Sequence, residues 1–127
     1  MSVDEFSQMH SNYQRGDIRL RDVPAGEGFH FYSDVDKPTG AVAINLEDFA
    51  EKLTAASLVS IEFHFLRGDF EIWLDEVVGD DMLSNRLRAV GRNERGEVLR
   101  ASLVDIVEKR VDELKEIQLL NRRRRRI

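Results

Sequence analysis

His64 and Asp69, with Arg67 between them and Glu71 just beyond, are the side chains whose types and spacing could do chemistry. An imidazole beside a carboxylate is an acid–base pair, in which the carboxylate orients the ring and the ring moves the proton. A second reading of the same cluster needs no reaction. There Asp69 caps a helix, Arg67 pairs with an acid, and His64 packs under Trp73 or Phe49. These four residues are therefore a candidate functional surface, and no catalytic residue is assigned. His30 and His64, with Asp34 or Asp36, are suitable metal-ligand types, but their spacing follows no metal motif and no metal is assigned.

Other chemistries lack their residues. The chain has no Cys, so disulfides and thiolate nucleophiles are excluded. It has no Gly-rich phosphate loop and no Ser-centred elbow, and Thr39-Gly40 after Lys37-Pro38 reads as a plain turn. No cofactor is expected.

The elements that must position the cluster are mostly helical. Phe70, Trp73, Leu74, Val77 and Val78 recur at helical spacing, with Asp69 as the expected N-cap and Gly79 as the stop. Asp80 or Asp81 then caps a second helix carrying Leu83, Leu87 and Val90 and ending at Gly91, which makes a helical hairpin or corner. Residues 57–66 are ambiguous. Ile61, Phe63 and Phe65 alternate as in a strand, whereas Ser57 as cap with Leu58, Ile61 and Phe65 on one face reads as a helix. Asn45 starts a helix with Leu46, Phe49, Ala50 and Leu53 inside, and Asp48 completes a capping box. From Glu97 to about Leu120 runs the longest helical pattern, about 35 Å at 1.5 Å per residue.

The N-terminal part reads differently. Residues 1–16 form a loose arm or a marginal helix, and 18–23 alternate as a short strand ended by Pro24. Phe29–Tyr32 is an aromatic strand, 33–40 is loop, and 41–44 pair back as a small hairpin. The expected division is an N-terminal arm at 1–27, one helical domain at 28–120 and a basic tail at 121–127.

With 127 residues, 42% apolar and 34% charged, the chain has the size and balance of one globular domain. The net charge of −5 hides an asymmetry: Arg122, Arg123, Arg124, Arg125 and Arg126 supply five of 19 basic residues, and the rest carries 14 basic against 24 acidic, or −10. An acidic body with a basic end does not suit duplex DNA, whereas adjacent arginines suit RNA phosphates. The opening residues have no basic n-region or apolar h-region, and no run approaches a membrane span, so a cytoplasmic location without a membrane partner is expected.

The runs GFHFYSDVDKPTGAVAINLEDF, SIEFHFLRGDFEIWLDEVVGDDML and GEVLRASLVDIVEKRVDEL resemble a family of small, mainly archaeal proteins of unknown function. The resemblance rests on Phe29–Tyr32, Thr39-Gly40, Leu46 and Phe49, Phe63-His64, Arg67–Phe70, Trp73 and Gly79-Asp80, and covers about 28–115. It implies a mostly helical domain, found alone or attached to others, and tilts 58–66 toward helix. It carries no known chemistry. One departure is Ser84, where the family pattern has a small apolar residue.

The expectation is a single, mainly α domain of four to five helices with a small N-terminal β-hairpin and a long C-terminal helix. Its expected core is Phe31, Phe49, Leu53, Ile61, Phe65, Phe70, Trp73, Leu74, Val77, Leu83, Leu87, Leu103, Ile106, Val107 and Leu114. The expected function is a non-catalytic interaction or regulatory module with a protein partner. The alternative is an RNA- or ribosome-associated protein using the arginines, and a small enzyme built on His64 and Asp69 stands third.

Overall fold

Phe29 and Phe31 point to one side of a strand, as period two requires, and that aromatic side seats a two-stranded hairpin on a helical body. The computed structural model describes residues 17–126; the arm or helix expected at 1–16 lies outside them. Strand β1 (Phe29–Asp34) pairs antiparallel with β2 (Lys37–Ala43), with Phe29 opposite Ala43 and register irregularities around Tyr32. The loop expected at 33–40 is thus mostly strand, and only Val35 and Asp36 turn the chain. Asp36 takes the left-handed conformation that Asp tolerates, at φ 59°. The Asp34 carboxylate accepts the Val35 N–H, and the Thr39 hydroxyl donates to the Phe31 carbonyl. The first bond lies at the turn, and the second ties β2 to β1.

Five α-helices follow. Helix α1 (Leu46–Ala55) starts at Asn45, whose side chain accepts from the Asp48 N–H, while Asp48 reaches back to the Ile44 N–H. That is the expected capping box, displaced by one residue at its outer bond. Helix α2 (Leu58–Arg67) resolves the ambiguity at 57–66 in favour of helix, with the Ser57 side chain accepting from the Ser60 N–H. Gly68, at φ 73°, closes α2, and α3 (Asp69–Trp73) begins at the next residue. One wider π turn, Leu74–Val78, carries the chain to Gly79 at φ 81°. Helix α4 (Asp81–Arg88) is capped by Asp80. Helix α5 (Gly96–Arg126) packs against α1, α2 and α4 and is about 46 Å long at 1.5 Å per residue.

The expected core is buried, except that Val77 and Ile106 are only partly covered; Val23, Phe29, Ala43, Leu46, Ala50, Val78, Leu99 and Val111 join it. The strand expected at 18–23 is a 3-10 turn, Ile18–Leu20, held by the Asp17 carboxylate on the Arg19 N–H. The packed unit begins before residue 28, where the arm was expected to end. Val23 is buried and donates its N–H to the Ile44 carbonyl, and Arg21 donates to the carbonyls of Val77 and Val78. Gly28 fits where no side chain would, since a Cβ there would sit 2.8 Å from the Ala43 carbonyl oxygen. The basic tail is likewise not separate, because α5 continues through 121–126. Arginines at the C-terminal end of a helix complement its dipole.

Two arginines of the acidic body close helix ends. Arg100 donates to three carbonyls at the end of α1, those of Leu53, Thr54 and Ala56, and Arg92 donates to the Phe65 carbonyl near the end of α2. The last carbonyls of a helix have no intrahelical donor, and a guanidinium fork satisfies several together.

Candidate functional site

The αL residue Gly68 joins α2 to α3 with no linker between them, and this turns His64, in the last turn of α2, toward Asp69 at the start of α3. His64 Nδ1 lies 2.8 Å from Asp69 Oδ2. The other ring nitrogen, Nε2, accepts the backbone N–H of Tyr32 in β1 at 2.8 Å. An acceptor Nε2 carries no proton, so Nδ1 carries it and donates to Asp69. The neutral ring therefore ties the hairpin to the helix pair.

The surroundings favour that neutral form. His64 is 4% exposed. The rings of Phe29, Phe63 and Phe70 stand 4.8, 5.1 and 5.6 Å from it. Burial lowers its pKa below the ordinary 6.5; the hydrogen bond and charge of Asp69 oppose this, and Arg67 adds to it. Arg67 lies over the Phe63 ring at 4.7 Å and approaches Asp69 Oδ2 at 3.4 Å. Half its side chain is exposed, so the ion pair is mostly solvated and weak.

His64, Arg67 and Asp69 line one cleft of about 450 Å³ between the hairpin and the α2–α3 corner. Phe29, Tyr32 and Phe63 line it as well, as do the exposed residues His30, Asp34 and Asp36. Glu71, the fourth residue of the expected surface, is not among its lining residues. It is buried, and its Oε2 has no hydrogen-bond partner. The sequence reading did not assign Tyr32 or Phe63 to the site. The signal for Tyr32 was present in the strand period, which sends it to the opposite face from Phe29 and Phe31.

The capping role expected for Asp69 is corrected. Asp69 is already the first helical residue, Gly68 holds the cap position, and no side chain caps this helix. The carboxylate turns to the cleft with His64, as an acid–base pair would. Yet both imidazole nitrogens are engaged within the fold, and the ring's one lone pair, on Nε2, already accepts the Tyr32 N–H and is not left to take a proton from a bound molecule. Among the described residues no group of three or more His, Asp or Glu side chains is arranged to hold a metal ion, although His30, His64, Asp34 and Asp36 share the cleft.

The depressed pKa of His64 sets a pH dependence. The unfolded chain binds this proton near 6.5 and the folded chain only at lower pH, so the unfolded state holds more protons between the two values. The contribution of His64 is full above about pH 6.5 and is lost as pH falls through the folded value, at up to about 1.4 kcal/mol per pH unit. Urea unfolding across pH 5 to 8 should show this fall, and it should flatten in His64→Gln, which keeps a donor and an acceptor but does not titrate. For Asp69, alanine leaves a buried imidazole N–H unpaired and is expected to cost about 1–3 kcal/mol. Asn keeps a neutral acceptor and should cost less, as thermal melting of both variants would show.

Comparison with protein-family models, with curated proteins and with solved structures found no significant match.

Proposed function

We propose that this chain is a non-catalytic interaction module of the cytoplasm that docks a protein partner on the outer face of α2 and the adjoining cleft. The observation that carries this is an apolar stripe left on a helix already packed by its other face. Ser60, Ile61, His64 and Phe65 are buried. On the opposite face Val59 and Leu66 are 64% and 51% exposed, with Phe63 between them at the spacing of helical neighbours. Arg67 stands at the end of this stripe, over Phe63 and beside the cleft. Such a surface suits an amphipathic helix that lays apolar residues along α2 and offers a carboxylate to Arg67. The engagement of both His64 nitrogens supports a binding role over a catalytic one. Among the described residues no helix is long and apolar enough to cross a membrane.

The test is capture of native partners by the immobilised protein and by a Val59→Asp/Leu66→Asp variant whose circular dichroism is unchanged. A partner held by the first and lost by the second is the expected result. An identical set of captured proteins would remove α2 as the docking face.

A further inference from the structure

Three aromatic rings and three carboxylates line the cleft between the hairpin and the α2–α3 corner, and together they select a cation. The rings are those of Phe29, Tyr32 and Phe63, and the carboxylates those of Asp34, Asp36 and Asp69. One permanent positive charge, the Arg67 guanidinium, shares the cleft with them. An anion entering here would meet three carboxylates to gain one guanidinium. A cation gains both the carboxylates and the electron-rich ring faces.

Part of the cleft already holds a guanidinium from the chain itself. The Arg67 guanidinium carbon lies 4.7 Å from the Phe63 ring centroid, and its Nε approaches Asp69 Oδ2 at 3.4 Å. Half of that side chain is exposed, so little holds it there. Asp34 and Asp36 have no such cation. Both are exposed, and among the described residues neither forms an ion pair. Lys37, their basic neighbour in sequence, is not among the lining residues. Val35, 63% exposed between them, offers apolar surface to the methylene stem of a long basic side chain. The cleft volume of about 450 Å³ is ample for one such side chain.

We infer that the cleft takes an arginine side chain of the docked partner, with its guanidinium drawn by Asp34 and Asp36 and its flat head packed on the aromatic lining. Arginine suits the site better than lysine, because a planar guanidinium stacks on rings and offers paired N–H groups to a carboxylate. This inference rests on the reading that a partner docks on α2 and the adjoining cleft, and it names the contact made in the cleft. A partner carboxylate pairing with Arg67 would draw it off Phe63 and leave that ring face to the incoming arginine.

The experiment is a proton–nitrogen NMR titration of the full chain with the peptide acetyl-Gly-Arg-Gly-amide. Matched peptides carry citrulline, the uncharged counterpart of arginine, or glutamate in its place. The expected result is a saturable shift of the Tyr32, Asp36 and Arg67 amides with the arginine peptide and none with the glutamate peptide. The citrulline peptide should bind at least about threefold more weakly, the scale of one or two exposed ion pairs. Asp34→Asn/Asp36→Asn keeps the shape of both side chains, and Asn tolerates the left-handed backbone at 36. It should weaken the arginine peptide by a similar factor. Arg67→Gln removes the internal competitor and should tighten it. No saturable shift, equal binding of the citrulline peptide, or weaker binding in Arg67→Gln would overturn the inference, the last by showing an anion site. Val59→Asp/Leu66→Asp alters no lining residue and should still bind the peptide. A cleft that takes no peptide, beside partner capture that still needs Val59 and Leu66, would sink this inference and leave the docking face standing.

Discussion

Replacing Asp80 by alanine is expected to remove about 3–5 kcal/mol of folding stability, because it leaves a buried guanidinium with only the partly exposed Glu113 carboxylate as an acidic partner. Asp80 and Arg110 are 1% and 2% exposed. Arg110 grips the carboxylate with two arms, Nε to Oδ2 at 2.9 Å and Nη2 to Oδ1 at 3.1 Å. The same carboxylate caps α4 by accepting the Leu83 N–H at 3.1 Å. One side chain thus starts α4 and fastens it to α5. Asp80→Asn keeps the cap and loses the charge, so it should fall between alanine and the parent. Asp80→Leu/Arg110→Leu removes both charges and should be less unstable than Asp80→Ala, since an apolar pair leaves nothing buried and unpaired. Urea unfolding measures each as a shifted midpoint at constant slope. A domain of this kind holds about 5–15 kcal/mol in all, so the alanine change takes a large share. An unchanged midpoint in Asp80→Ala would mean that water reaches this pair.

Trp73→Ala is the second large effect, also about 3–5 kcal/mol, the usual cost of emptying a large aromatic site. Trp73 is 6% exposed and stands 5.3 Å from the Phe49 ring and 5.8 Å from the Phe29 ring. Its indole N–H donates to the Glu27 carbonyl at 2.9 Å. The loss therefore combines a cavity between the hairpin and α1 with an unpaired carbonyl just before β1. Trp73→Phe keeps much of the volume and loses the donor, so it should cost less than alanine. Thermal melting separates the two, and an unchanged melting temperature in Trp73→Ala would contradict its place in the core.

Trp73 was legible because a helical period put it mid-face, and periodicity reports burial directly. The caps at Asn45, Ser57 and Asp80 were legible for a related reason, since their side chains act on residues three positions away. The Asp69 cap failed at the same range because Gly68 closes α2 and the next helix opens at once, leaving no cap position for Asp69. Residues 33–40 read as loop because Pro, Gly, Asp and Thr favour turns, yet strand pairing and the Thr39 bond to the Phe31 carbonyl hold most of them extended. The Asp80–Arg110 pair spans 30 residues, and local spacing does not join such positions. One sign was present. Arg110 falls in the same stripe as Leu103, Val107, Val111 and Leu114, and a charge at a core position requires a buried partner. The Tyr32–His64 bond had no sequence sign, because its donor is a backbone group that every non-proline residue has.

His64 is a neutral strut with both ring nitrogens engaged, which turns the cleft toward binding. The most direct test is a long-range proton–nitrogen NMR spectrum of the imidazole, followed from pH 8 downward. The expected result is a single tautomer, protonated at Nδ1 and bare at Nε2, that persists at pH 6.5 and takes up a second proton only at lower pH. An imidazolium already present at pH 6.5 in the folded protein, or a ring protonated at Nε2, would contradict it and would return His64 and Asp69 to acid–base chemistry.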